Sequence, residues 1–148
     1  MSPWLYNDEI IEDESQFPEG TLCFVYRITR IADGKFYIGK KLGFFVKTSV
    51  KTITTKAGIK KKKKTRSLVP SDWKTYYGSS IDLQKDVEQL GTEAFRRDIL
   101  AFCSNKGTAG YIEMRYQMDA RVLELPNDAC YNGIVNARVH KKHIKPTL

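Results

Sequence analysis

Cysteine and histidine are scarce in this chain. Cys23, Cys103 and Cys130 are odd in number and far apart, and no Cys-x-x-Cys pair exists. That excludes a disulfide framework and a zinc knuckle, and it suits a reducing compartment. His140 and His143 lie three apart in a basic tail, with no Cys or acid clustered beside them, so no histidine-based catalysis is expected. No run of about 18 apolar residues occurs, so no membrane-spanning helix is expected. Met1-Ser2-Pro3-Trp4 lacks a basic patch followed by an apolar stretch, so no secretory signal is expected. No Gly-rich loop of the P-loop type occurs, so no nucleotide cofactor is implied.

Acids are also missing, but only locally. Residues 40–66 hold eleven bases and no acid. Residues 1–20 are the reverse, with six acids (Asp8, Glu9, Glu12, Asp13, Glu14, Glu19) and no base. The chain as a whole carries 25 Lys and Arg against 17 Asp and Glu, a net of +8. A long stretch of one sign repels itself unless an anion covers it, and a phosphate backbone is the usual anion. A solvated basic loop is the plainer alternative. The six N-terminal acids suggest a further hypothesis, that they fold over the basic region and compete with a polyanion.

The 148 residues fit one domain. Residues 1–20 read as an acidic N-terminal extension ending at Pro18-Glu19-Gly20, and the core begins at Thr21. Leu22–Ile28 is β-branched and aromatic and predicts a strand. Asp33-Gly34 suits a hairpin turn, and Lys35–Lys41 predicts the returning strand. Residues 40–72 read as a lysine-rich insertion, with short strands around 46–54. Lys60 to Lys64, five adjacent lysines, read as exposed loop. Ser79 and Ser80 are natural helix caps. Leu83, Val87 and Leu90 then share a helical face, and Gly91 stops the helix. Residues 94–103 predict a third strand. Thr108 is the expected cap of a second helix running to about Leu123, with Tyr111, Met114, Arg115, Met118 and Val122 along one stripe. Residues 136–148 form a basic tail. The expected fold is mixed α/β (α+β): a small three-stranded antiparallel sheet flanked by helices, with a basic insertion after the second strand.

Phe24-Val25-Tyr26, with Tyr37-Ile38-Gly39 following the turn, resembles the paired elements that name the GIY-YIG nucleases, although Phe24 stands where the name has Gly. Tyr77-Gly78-Ser79-Ser80-Ile81-Asp82-Leu83, Gly91, Phe95, Ile99-Leu100, Glu113 and Tyr131-Asn132 extend the likeness over residues 22 to about 135. It is similar to Seg-type phage homing endonucleases. The resemblance implies an endonuclease that hydrolyses phosphodiesters of double-stranded DNA with Mg²⁺ (or Mn²⁺), working in a cytoplasm, the host's if the chain is phage-encoded.

The resemblance assigns Glu113 the metal, and it implies that one tyrosine, Tyr26 first, helps deprotonate the attacking water. Residue chemistry agrees in outline. Mg²⁺ prefers oxygen ligands and keeps several waters, so one carboxylate plus the substrate phosphate suffices. Period-2 alternation puts Tyr26 on one face of its strand and Tyr37, Gly39 and Lys41 on one face of the next, so both phenols can share a pocket. A free tyrosine has a pKa of about 10, so a base role needs nearby cations. The family's helical arginine is missing here. Lys40, Lys41, Lys47, Arg66 and Lys74 are the candidate replacements, Lys41 foremost among them. Gly39 reads as a place for close approach of substrate, or as a bend. Asn132 reads as a phosphate contact, or as a turn residue. Two other functions remain open: a non-catalytic nucleic-acid-binding module on the same fold, and a protein-interaction domain whose lysines are merely solvated.

Overall fold

The computed structural model describes residues 1–148. Seven strands and two helices follow in the order β1 (Trp4–Tyr6), β2 (Glu9–Ile11), β3 (Cys23–Arg30), β4 (Phe36–Leu42), β5 (Phe44–Thr54), β6 (Lys60–Pro70), α1 (Ile81–Leu90), β7 (Phe95–Cys103) and α2 (Lys106–Asp119). Five strands form one mixed sheet in the order β2-β1-β7-β3-β4, and β5 and β6 pair only with each other. No helix is long and apolar enough to cross a membrane.

The three expected strands form the heart of the larger sheet. β3 runs between β4 and β7, antiparallel to both. It is buried on both faces, which explains its nearly unbroken apolar run. Phe24, Tyr26 and Ile28 point into one core with Trp4, Trp73, Leu83 and Ile99. Cys23 and Val25 point into the other with Ile38, Cys103, Ala109 and Val122. α1 covers the first face through Leu83, with Ser80 capping it and Gly91 ending it as expected. α2 covers the second.

The sheet has five strands rather than three because residues 1–20 are not an appendage. β1 pairs parallel with β7, through Trp4↔Arg97 and Leu5↔Asp98, and β2 folds back on β1. Trp4, Ile11 and Phe17 bury their side chains in the first core. Asp8, Glu9, Glu12, Asp13 and Glu19, conspicuous in the composition, face solvent, whereas Glu14 turns inward and accepts from the Trp73 indole N–H at 2.8 Å.

The insertion is also different from the expectation. It is not a loop with short strands but one hairpin of eleven cross-strand pairs, from Phe44↔Pro70 to Thr54↔Lys60. Lys60 to Lys64 are the first half of β6, and they alternate between its two faces. Five lysines are compatible with a strand here because neither face is packed.

The second helix starts earlier than expected and buries a different face. Asn105, not Thr108, is its cap, accepting from the Thr108 N–H at 2.7 Å. Ala109, Gly110 and Gln117 are buried, whereas Met118 is 60% exposed. An apolar-stripe reading fails because the face turned toward β4 carries Gly110, Glu113 and Gln117. β7 also breaks its own alternation. Val25 pairs with Ala101 but Tyr26 pairs with Ile99, so Leu100 is an extra residue in a bulge beside Tyr26.

Candidate active site

Register puts Tyr26 opposite Gly39. The Tyr26 ring lies in the space a side chain would fill: a Cβ on Gly39 would stand 2.5 Å from Tyr26 Oη and 2.9 Å from Tyr37 Cε1. The room that Gly39 leaves is therefore taken by the phenol and is not open to substrate. Tyr26 and Tyr37 sit with ring centroids 6.2 Å apart. Tyr37 shares a hydroxyl hydrogen bond with Ser79 at 2.9 Å. The Tyr26 hydroxyl points at that of Tyr76, 3.5 Å away. Gly78, at φ +91°, carries the chain past Tyr37 where a Cβ would meet Leu83 Cδ2 at 2.8 Å. Tyr76 is a partner the sequence did not single out, and Ser79, expected as a helix cap, instead holds the Tyr37 hydroxyl.

Glu113 arrives from α2, on the other side of the sheet. β4 is an edge strand, so groups from both faces can meet beyond it. Tyr37, Glu113, Gln117 and Asn132 line one cavity of about 140 Å³ there. A larger cavity, about 300 Å³ between α2 and Leu148, contains none of these groups.

The edge is held open by a clamp. The Asn132 amide accepts from Ile38 N–H at 2.9 Å and donates to Ile38 C=O at 2.8 Å. Gln117 Nε2 donates to the same carbonyl at 3.0 Å. Asn132 thus copies a neighbouring strand at one residue and stops further pairing there, and the next backbone N–H, that of Lys40, is met by Glu113. The Asn132 amide is engaged with the backbone rather than free for phosphate.

Electrostatics separate the titratable groups. Burial holds Tyr26 well above the ordinary tyrosine range, and Tyr76, Tyr37 and Glu113 push the same way. Burial also raises Tyr37, with Tyr76 and Glu113 adding to it and the Ser79 hydrogen bond opposing. Both are phenols at neutral pH. Glu113 is raised by burial and drawn back by Lys40, through its charge and its backbone N–H.

The candidate cations divide sharply. Lys40 reaches over α2, its Nζ 3.3 Å from where a Gly110 Cβ would stand. Lys41 faces the tyrosines as alternation predicts, 4.3 Å above the Tyr76 ring, and pairs with Asp72 at 2.5 Å. It does not lower Tyr26, because Asp72 takes up its charge and Tyr76 stands between. Lys47 and Arg66 lie on the hairpin, away from the cavity. Lys74 faces the N-terminal segment, 3.7 Å from Asp13 and 3.8 Å from Glu14. Asp8 pairs with Arg96. None of the six N-terminal acids pairs with Lys40, Lys41 or a hairpin cation.

Arg97 was not anticipated either. It is 2% exposed, with no carboxylate beside it, and burial lowers it to about 10. Its guanidinium is held between the Trp4 and Tyr77 rings, at 4.7 and 4.2 Å. It donates to the carbonyls of Lys74 and Tyr76, both at 2.9 Å, and to that of Ser2. It ties β1 and the segment carrying Tyr76 to β7.

A small mixed sheet with two tyrosines on neighbouring strands, one glutamate wrapping round the edge and an asparagine clamp fits a single-carboxylate hydrolase site. The family model described as endonuclease segE, GIY-YIG domain, matches residues 4–135, and the chain belongs to that family. The match takes in β1 and β2, so the N-terminal strands are part of the family domain. No curated protein and no solved structure matches the chain.

Proposed function

We propose that this chain is a divalent-metal-dependent DNA endonuclease that hydrolyses phosphodiesters at the β4 edge, similar to homing endonucleases. The carrying observation is that Tyr37 and Glu113, from opposite faces of the sheet, line one cavity with Tyr26 directly behind.

The donors at that cavity are carboxylate, amide and phenol, and no three His, Cys, Asp or Glu side chains in the molecule are placed to hold one metal ion together. Such a set fits a hard cation that keeps most of its waters, Mg²⁺ or Mn²⁺, and it does not fit zinc. Glu113 would hold it. When bound, the ion supplies charge neutralisation for the phosphoryl oxygens and cancels the negative charge that Glu113 presents to both phenols.

The chain's own groups do the rest. Tyr37, at the cavity wall, is the phenol that touches the attacking water, oriented by Ser79. Tyr26 is fully buried and acts as a positioning residue, fixing Tyr37 and Tyr76 from behind. Lys40, beside Glu113, brings positive charge to the phosphate in place of the absent arginine, as a point charge rather than a bidentate fork, while Lys41 stays paired with Asp72. Lys47, Arg66 and Lys74 do not line the cavity, and the contact they make is with flanking backbone.

Plasmid nicking with Mg²⁺, set against EDTA and Glu113→Gln, tests this reading. Nicking by wild type that is lost in both controls is expected. Equal nicking by Glu113→Gln removes the glutamate from the mechanism. No nicking with any divalent metal leaves a non-catalytic DNA-binding module. Tyr37→Phe is expected to slow cleavage more than Tyr26→Phe, and the opposite order reverses the two roles.

A further inference from the structure

We infer that the β5–β6 hairpin is a groove-reading arm, a two-stranded ribbon that lies in the major groove of double-stranded DNA and sets where the neighbouring site cuts. This rests on the DNA-directed reading above and goes beyond it.

The hairpin is unexplained as a structural element. It pairs with no other strand, so both its edges are free. An isolated two-stranded ribbon is marginal in water. This one also carries nine cations (Lys47, Lys51, Lys56, Lys60 to Lys64, Arg66) and no acid over residues 44–70. Lys51 stands directly opposite Lys63, a like-charge pair that weakens a hairpin. Blocking edge-to-edge aggregation needs only a lysine or two. Nothing in the molecule neutralises the rest: none of these cations makes an ion pair.

The placement of charge says what the missing anion looks like. Arg66, Lys64, Lys62 and Lys60 lie on one face, and Lys47, Lys51, Lys61 and Lys63 lie on the other. A ribbon resting on a flat acidic surface or a membrane needs cations on one face only. A ribbon seated between two walls of phosphate needs them on both. The major groove is such a slot, about 12 Å wide and able to admit a two-stranded ribbon. Eleven residues of strand span about 36 Å, close to one turn of B-DNA. Between the cations β5 presents short side chains, Thr48, Val50 and Thr52, whose hydroxyl and methyl groups suit base edges and thymine methyls.

The arm is rooted beside the site. Gly43 and Phe44 donate to the Leu22 carbonyl at 2.9 and 3.3 Å, and Ser71 donates to Gly43 C=O at 3.0 Å. Phe44 packs edge-on against Phe17, 6.1 Å between centroids. Lys41 bridges the two regions, near both Tyr76 and the Phe45 ring. A duplex gripped by the ribbon is therefore held in fixed register with the β4 edge.

The test uses full-length Glu113→Gln, to separate binding from cutting, and a random-sequence duplex of about four helical turns. One variant replaces Lys61 and Lys63 with Gln, and a second replaces Lys60, Lys62 and Lys64. Both sets are fully exposed, so far-UV circular dichroism and the melting temperature should match the parent. Each is expected to lose about tenfold or more in affinity at 150 mM salt, and to flatten the salt slope by about 0.9 per phosphate contact removed. Loss from one face only indicates a flat anionic surface and overturns the groove placement. Parental affinity in both variants overturns the arm altogether. Methyl green, which fills the major groove, should displace the protein, and netropsin, which fills the minor groove, should not; the reverse also overturns it. Failure of the nuclease reading looks different: a Glu113 chain that cuts nothing, yet whose duplex binding still depends on both lysine faces.

Discussion

The β4 edge and the β5–β6 ribbon are separated in the chain by one residue, Gly43, and are built on opposite physics. At the edge, few charges are present and each has a neighbour: Glu113 faces Lys40, Lys41 meets Asp72, and Tyr37 is tied to Ser79. Position there is fixed by packing, by a glycine that only a ring can fill, and by a side-chain amide standing in for a strand. Beyond its root at Phe44 the ribbon is unpacked, and all its charge has one sign. Reaction chemistry needs groups held to fractions of an ångström. Gripping a polyanion needs only charge at the right spacing. The difference teaches that substitutions at the edge should change turnover or folding, and substitutions on the ribbon should change affinity and little else.

The sharpest break in that contrast is at Glu113. Glu113→Gln is expected to lower nicking about 10²–10³-fold while leaving duplex affinity intact, read by plasmid relaxation and fluorescence anisotropy. It should also change stability with pH. Burial raises the folded-state pKa of Glu113, so its carboxyl favours the fold when protonated and disfavours it when ionised. The variant should therefore melt higher than wild type at neutral pH. That advantage should shrink as pH falls through the ordinary glutamate range. An advantage that grows on acidification contradicts the assignment.

Arg97 comes next. Arg97→Met leaves the carbonyls of Ser2, Lys74 and Tyr76 without a donor and is expected to destabilise by about 3 kcal/mol in urea unfolding. Arg97→Lys should recover less than half, because an ammonium cannot stack between two rings and bridge three carbonyls. A Met variant as stable as wild type would show that the uncompensated buried charge outweighs its hydrogen bonds.

Gly39→Ala sets a Cβ against both phenols and should lower stability by about 1–3 kcal/mol, with a drop in turnover that Tyr26→Phe alone does not match. The smallest effect belongs to the ribbon. Lys63→Gln relieves the repulsion facing Lys51 and should move stability by no more than about 0.5 kcal/mol, upward if at all. A loss above 1 kcal/mol would mean that the ribbon is packed against something and is not a free arm.

Much of the fold was legible in the chain. The strands of β3, β4 and β7, and α1 with its Ser80 cap and Gly91 stop, follow from local propensity and turn chemistry, which act within a few residues. That Tyr26 and Tyr37 lie side by side was legible through strand alternation, whereas Glu113 was expected beside them only from family likeness. The ribbon was misread because runs of lysine are judged by whether they can be buried, and an unpacked strand makes no such demand. The N-terminal strands were misread because the charges of Asp8 to Glu14 obscured three anchors, Trp4, Ile11 and Phe17.

The sequence by itself determined that β3, β4 and β7 are extended, where α1 starts and stops, and that one region carries positive charge without relief. Those properties are local, set by side-chain shape, φ preference and the order of charges along the chain. Only the tertiary structure decided that β4 ends the sheet, that Asn132 and Gln117 hold its outer backbone, that Arg97 binds three distant carbonyls, and that a glutamate from the far face meets a tyrosine from the near one. Those are contacts across dozens of residues, and no spacing along the chain encodes them. They arise from how two cores close on the faces of one sheet whose β4 edge no further strand extends.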